Sequence, residues 1–305
     1  MIGRVVEIYG PRVELMADDR LIDAVATGKL KHGSRETSLL AVGDYVEFTE
    51  PPNKQATIDR ILKRKSTISR PAVDREGVIQ VIVSNIDRLV IVGSVTSPDF
   101  KPNLVDRFLV IAFKEQLHPV IIINKIDLTD PAPYREHIAA WRNIDCSVIC
   151  TSAVTGAGID ELSSLLAHGT SVITGHSGVG KSSLLNRINP GLNIKTGVVS
   201  KYSGKGVHTT SRVSLFQLFP DGWVADTPGL KDLGLANVTQ KNLYRYFPEF
   251  ERFEANCQFS NCVHVEEPDC AIKKAIQNHS PDISASRYQS YLNIFKTVKK
   301  DKIEY

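Results

Sequence analysis

Residues 170–188 read Thr170-Ser171-Val172-Ile173-Thr174, then Gly175-His176-Ser177-Gly178-Val179-Gly180-Lys181-Ser182-Ser183, then Leu184-Leu185-Asn186-Arg187-Ile188. An apolar run of strand length ends in G-x-x-x-x-G-K-S, and a helical run begins at its lysine. Strand, glycine-rich loop and helix in that order form the setting in which such a loop cradles phosphate. The glycines let backbone N–H groups turn inward on phosphate oxygens, the helix start adds its positive dipole end, and Lys181 neutralises the β- and γ-phosphates. Ser182 would sit on Mg²⁺. A glycine turn without a ligand is the competing reading of the motif taken alone.

Upstream, Asn124-Lys125-Ile126-Asp127 closes the apolar run Pro119–Ile123, and loops at the carboxyl ends of parallel strands form ligand crevices. Asp127 can accept two hydrogen bonds from the N1 and N2 donors of guanine, which adenine does not supply. A site built on such bonds rejects the analogue lacking them by a factor that reaches about 10⁴. Lys125 would lie along the base, and Asn124 would tie this loop to the phosphate loop. A further strand, 146–150, leads into Thr151-Ser152-Ala153, whose backbone would meet the guanine O6. Residues 124–127 alone also read as an exposed polar turn, so their value lies in the pairing with the phosphate loop, and the tripeptide 151–153 by itself is a weak signal.

Downstream, Asp226-Thr227-Pro228-Gly229 follows the strand-like 222–225. Asp226 would orient the Mg²⁺ shell and Gly229 would end the segment that senses the γ-phosphate. Between the two phosphate-binding segments lies Gly206-Val207-His208-Thr209-Thr210, in a stretch with Lys195, Lys201, Lys205 and Arg212 and no acid from 195 to 212. One of its threonines would complete the Mg²⁺ shell, with Thr210 favoured over Thr209. A solvated basic loop is the plainer reading of most of this stretch.

Around this centre, apolar strand-length runs alternate with helical ones from Asp87 onward, which signals a parallel sheet covered on both faces. Residues 1–67 instead carry five short β-type runs and predict a small barrel. Lys63, Arg64 and Lys65, followed by Ser69-Arg70-Pro71, read as a linker, which sets the first boundary near 68. Three domains are therefore expected: a barrel at 1–67, an α/β domain at 68–234 and a short-helix domain at 235–305.

Cys257-x4-Cys262-x-His264-x5-Cys270 supplies four N/S donors in one short loop, the donor set of a closed tetrahedral structural Zn²⁺ site. Free buried thiols are the alternative. Cys146 and Cys150 lie four apart on one strand, hence on one face, and read as core packing.

The 305 residues carry 37 Lys and Arg against 34 Asp and Glu, a net charge of +3. That balance excludes a chain binding nucleic acid by bulk charge and leaves only local basic patches. They are expected at Arg60, Lys63, Arg64 and Lys65, at 195–212, and at 287–305, where Arg287, Lys296, Lys299, Lys300 and Lys302 oppose Asp301 and Glu304. A solvated helix face is the even alternative for the last. No run of about 18 apolar residues offers a membrane helix, and the start MIGRVVEIYG lacks the stretch of a signal peptide. The expectation is a cytoplasmic protein without a membrane partner.

These pieces resemble the translation-factor-related GTPases with their order rotated, because the guanine loop precedes the phosphate loop. Together with the barrel and the C-x4-C-x-H-x5-C cluster, they resemble the ribosome small subunit-dependent GTPase A family of bacteria along essentially the whole chain. The resemblance implies an N-terminal OB-fold β-barrel, a circularly permuted central α/β P-loop GTPase domain and a C-terminal, mostly helical zinc-binding domain. It implies hydrolysis of GTP to GDP, with Mg²⁺ and one structural Zn²⁺, stimulated by the small ribosomal subunit late in that subunit's maturation. The subunit and its rRNA are the expected partners of a monomer. The family's nucleotide residues carry over to Asn124, Lys125, Asp127, Ser152, Ala153 and Gly175 through Ser183, and its zinc ligands to Cys257, Cys262, His264 and Cys270. Leu230 stands after 226–229 where many GTPases use a water-orienting glutamine. By analogy with the family's mechanism, His208 is the candidate for that role; a histidine that only shapes the loop or touches RNA is the alternative. A P-loop ATPase or kinase and a non-hydrolysing RNA-binding scaffold are the rival functions.

Overall fold

The computed structural model describes residues 1–26, 40–52, 54–71, 79–192, 213–226, 235 and 237–298. At the N-terminus, strands β1 (Ile2–Tyr9), β2 (Arg12–Ala17), β3 (Arg20–Ala26), β4 (Tyr45–Thr49) and β5 (Ala56–Ile61) close into a barrel in the order β1-β2-β3-β5-β4. All neighbours are antiparallel except β3 and β5. Alternation places Val13 and Leu15, Ile22 and Ala24, and Val46 and Phe48 inside. The expected OB-type barrel is present.

The stretch expected as a linker is structured. Strand β6 (Thr67–Pro71) pairs antiparallel with β7 (Ile79–Ser84), and Val42 of the barrel bridges Val83. Asp44 is fully buried and accepts from the Arg64 guanidinium at 2.7 and 2.9 Å, from the Ser84 hydroxyl at 2.6 Å and from the Ala41 amide at 2.8 Å. A buried carboxylate demands a cation and donors. Arg64 is therefore spent inward, and Arg60 is paired with Glu47 at the surface. Of that basic cluster, Lys63 and Lys65 remain exposed.

The central sheet has the order β10 (Ser147–Cys150), β9 (His118–Asn124), β8 (Arg88–Ser94), β11 (His168–Gly175), β13 (Asp221–Asp226) and β12 (Ser214–Phe219). Five strands run parallel and β12 adds an antiparallel edge. Helices α1 (Pro102–Lys114) and α2 (Arg135–Arg142) cover one face through Val105, Phe108, Leu109 and Trp141. Helices α3 (Ile159–Leu166) and α4 (Lys181–Ile188) cover the other through Ile159, Leu162, Leu184 and Leu185. Cys146 is buried beside β10 and Cys150 packs against the same core. The parallel strands all end at one edge, which collects Ser94, Asn124, Cys150, Gly175 and Asp226.

After β13 the chain enters short helical turns and then α5 (Glu251–Glu254), α6 (Ala271–Gln277) and α7 (Ala285–Phe295) around Phe247, Phe250, Ile272 and Tyr291. This domain docks on α1. Ser290 donates to Asn103 at 2.6 Å, Arg107 donates to Thr297 at 3.0 Å, and Val110 joins the C-terminal core. Arg287, expected in a basic surface, is 2% exposed and binds both Asp106 and Glu249. Arg4 plays the matching part for the barrel: 5% exposed, it donates to Thr170 Oγ1 at 2.5 Å with its guanidinium over the Trp223 ring.

Candidate nucleotide site and metal centre

The phosphate loop leaves β11 at Gly175 and enters α4 at Lys181. Two of its glycines are required by close approach. A Cβ on Gly175 (φ +145°) would lie 2.1 Å from the Val92 carbonyl oxygen, and one on Gly180 (φ +97°) would lie 2.3 Å from Asn124 Nδ2. Lys181 Nζ donates to the carbonyls of Gly175 and His176, each at 2.9 Å. These two carbonyls hold the ammonium across the loop. Ser182 is buried, and its hydroxyl has no hydrogen-bond partner among the described residues. An orphaned buried oxygen at the start of this helix fits the hydroxyl ligand that Mg²⁺ requires. Asp226 pairs in register with Ile173, one strand over from the phosphate loop.

The guanine loop is joined to the phosphate loop through one side chain. Asn124, 1% exposed, donates from Nδ2 to the Val179 carbonyl at 2.9 Å and accepts at Oδ1 from the Thr151 hydroxyl at 3.1 Å. Lys125 takes φ +64° and donates from Nζ to the Ser97 carbonyl. Asp127 is exposed and accepts from the Ser152 hydroxyl, whose oxygen in turn accepts from the amides of Val154 and Thr155 at 3.2 and 3.1 Å. The Asp127 carboxylate is thus oriented by one side and open on the other.

The structure brings together Asn124, Lys125, Ile126, Asp127, Ser152, Ala153, 175–183 and Asp226 at the carboxyl edge of the sheet. His208, Thr209, Thr210, Leu230, Gly229 and the rest of 227–229 lie outside the described residues. Sequence reasoning named Thr151 only for its backbone and missed its fully buried side chain, and it missed Ser94, Asp99, Phe100 and Lys101, which wall a pocket shared with Gly175, His176 and Val179. The threonine's position just before Ser152, at the end of a β-strand parallel to the one bearing Asn124, was the available signal.

In the C-terminal domain, the donor atoms of Cys257, Cys262, His264 and Cys270 lie within 4.8 Å of one another. The three thiols are free, and His264 Nδ1 faces the sulfurs of Cys257 at 3.7 Å and Cys270 at 3.5 Å. The loop is pinned from outside. Glu267 accepts from the amides of Val263 and Val265, Tyr291 donates to the Val263 carbonyl, and Tyr288 donates to the His264 carbonyl at 2.9 Å. Burial pushes the Cys262 thiol up to about 12 and raises Cys270, and burial lowers His264. Buried thiols held protonated at Cys262 and Cys270, beside a neutral imidazole, are what a cation would convert to thiolates. Three sulfurs and one nitrogen fit a closed tetrahedral site.

Residues 61–236 match the RsgA GTPase family model. The chain is 41% identical over 270 residues to the small ribosomal subunit biogenesis GTPase RsgA of Chlorobaculum parvum, covering 86% of each chain. It is 34% identical over 307 residues to the protein of that name from Bacteroides fragilis, covering 99% of this chain and 98% of that one. Among solved structures, YjeQ from Thermotoga maritima superposes with a TM-score of 0.77 at 32% identity, covering 97% of this chain and 98% of the other. YloQ, a circularly permuted GTPase, superposes with a TM-score of 0.74 at 27% identity, covering 100% of this chain and 96% of the other.

Proposed function

The chain belongs to the RsgA GTPase family, and from that premise we propose that it hydrolyses GTP to GDP and phosphate as a biogenesis factor of the small ribosomal subunit. The observation that carries the chemistry is the Asn124 side chain. Its bond to the Val179 carbonyl sets the guanine-reading Asp127 and the phosphate loop at a fixed separation, so a guanine base and a triphosphate are measured by one rigid edge.

In the proposed site Asp127 accepts from the base, with Ser152 orienting it, Ala153 meeting O6 and Ile126 backing the loop. Backbone amides of Gly175 through Ser183 surround the phosphates, and Lys181 turns from the two carbonyls to the β- and γ-oxygens. Ser182, Asp226 and Thr210 are the residues that would hold Mg²⁺, which offsets the charge that grows on the β-γ bridging oxygen. Gly229 ends the segment that senses the γ-phosphate. Water attacks the γ-phosphorus, the bond to the bridging oxygen breaks, and His208 orients that water. The Cys257, Cys262, His264 and Cys270 set holds one structural Zn²⁺ in this reading. The barrel, with Lys63 and Lys65, and the C-terminal domain contact rRNA, and the protein acts as a cytoplasmic monomer without a membrane partner. No helix among the described residues is long and apolar enough to cross a membrane.

Phosphate release with and without small ribosomal subunits tests this reading. Strong stimulation that Lys181→Ala abolishes is expected; no stimulation would favour a nucleotide-retaining scaffold, and tighter ATP than GTP binding would overturn the guanine reading.

A further inference from the structure

Ser94 ends β8 at 1% exposure, in register with Asn124 on β9. Its hydroxyl donates to the Pro98 carbonyl at 2.8 Å and so closes a turn over Ser94-Val95-Thr96-Ser97-Pro98. The turn touches both halves of the nucleotide site. On one side, the Val95 amide donates to the Asn124 carbonyl at 3.0 Å, and the Ser97 carbonyl accepts from Lys125 Nζ. On the other, Pro98 Cδ lies 3.7 Å from where a Cβ on Gly178 would stand. Phe100 anchors the far end: its ring fits against Gly93, where a Cβ would come within 2.3 Å, and packs edge-on to Tyr134 and Trp141 at centroid distances of 4.8 and 5.8 Å.

The partner chosen for Lys125 has a chemical consequence. A carboxylate would fix the ammonium and neutralise it, whereas a carbonyl fixes it and leaves the full charge and two N–H donors for a ligand. Immobilising a free lysine takes side-chain entropy. Holding the lysine before the nucleotide arrives removes that penalty from binding.

We propose that Ser94 is a positioning residue for the guanine nucleotide: by closing the 94–98 turn it fixes the Ser97 carbonyl, and through it the Lys125 side chain, against the phosphate loop. This rests on the guanine-nucleotide reading of the site. Because Ser94 acts through Lys125, its effect must vanish when Lys125 is gone.

The test is a double-mutant cycle in the full-length protein, reading GDP affinity for Ser94→Ala, Lys125→Ala and the pair. Ser94→Ala is expected to weaken GDP about five- to twentyfold, Ser94→Thr to restore it, and the pair to bind no worse than Lys125→Ala alone. GDP affinity unchanged by Ser94→Ala overturns the proposal, as does a Ser94→Ala loss that appears in full on top of Lys125→Ala. Should Ser94→Ala fail to fold, Ser94→Cys keeps a side chain of similar size with a much weaker donor, and the same cycle with Lys125→Ala decides. Wild-type protein that fails to prefer GDP to ADP would overturn the guanine reading instead, before any variant is compared.

Discussion

The Arg287 guanidinium on α7 reaches Asp106 on α1 at 2.6 Å, with both side chains closed off from water. Glu249 accepts from the same guanidinium at 2.8 and 3.2 Å, Trp141 Nε1 donates to Asp106 at 2.8 Å, and the Phe247 ring lies 4.6 Å beneath the charge. Burial opposes the charged form, yet Glu249 and Asp106 outweigh it and hold the arginine above its ordinary pKa. Arg287→Met would leave two carboxylates buried without a cation. A loss of about 3–5 kcal/mol is expected, read as a lower denaturant midpoint; a shift under about 1 kcal/mol would contradict the assigned role.

Thr151→Val is nearly isosteric and removes only the hydroxyl that donates to Asn124 Oδ1. With that acceptor unpaired in a buried site, a penalty of about 1–3 kcal/mol is expected. Freed from one of its two ties, Asn124 should read out as weaker GDP binding and lower thermal stability together. Calorimetry on the variant with unchanged GDP affinity would show that the bond is not needed for the site.

Ser182→Ala separates stability from function. The hydroxyl is buried without a hydrogen-bond partner among the described residues, so its removal should leave the metal-free protein as stable as the parent or slightly more so. Mg²⁺-dependent GTP binding should fall at least about tenfold, or about 1.4 kcal/mol. A thermal midpoint that drops in the absence of nucleotide would mean the hydroxyl already has a structural partner.

The metal centre predicts opposite pH responses for its two forms. Thiols must lose protons to bind a metal, so the metal-loaded protein should release Zn²⁺ on acidification, by at least about tenfold in affinity per pH unit. The stripped protein behaves the other way. Cys262 ionises at about 12 when folded and buried, whereas an unfolded chain ionises near the ordinary thiol value. Between the two the unfolded state binds fewer protons, so stability is retained at neutral pH and falls as pH rises through that window. Metal content by mass spectrometry across a pH series and alkaline melts of chelated protein check both arms.

The candidate nucleotide site is legible in the sequence because its residues stand in short contiguous stretches whose spacing is set by backbone geometry. Gly175 through Ser182 and Asn124 through Asp127 each announce a loop at a strand end. The connections between those stretches were not legible, since they depend on residues that the fold, and not the spacing, brings together. Asp106 and Arg287 stand 181 positions apart, so nothing local marks that arginine as buried; its neighbours in the sequence made it look like one more surface cation. Arg64 misled in the same way, because its partner Asp44 lies in a barrel loop 20 positions upstream. Thr151 and Ser94 are ordinary strand-end residues until the parallel register sets them beside Asn124 and Lys125. The three-domain order followed from composition and periodicity, while the hairpin of β6 and β7 was hidden by the basic stretch before it.

The attachments of the C-terminal domain to α1 fall at Asn103, Asp106, Arg107 and Val110, the spacing of a single helical stripe. The helix is 13 residues long, or about 20 Å at 1.5 Å per residue, and its leading end emerges from the turn that abuts Gly178. One rigid helix thus carries both the lead-in from the turn beside the phosphate loop and, at four points within two turns, the whole seat of the Cys/His-bearing domain, so the two share a single frame of reference.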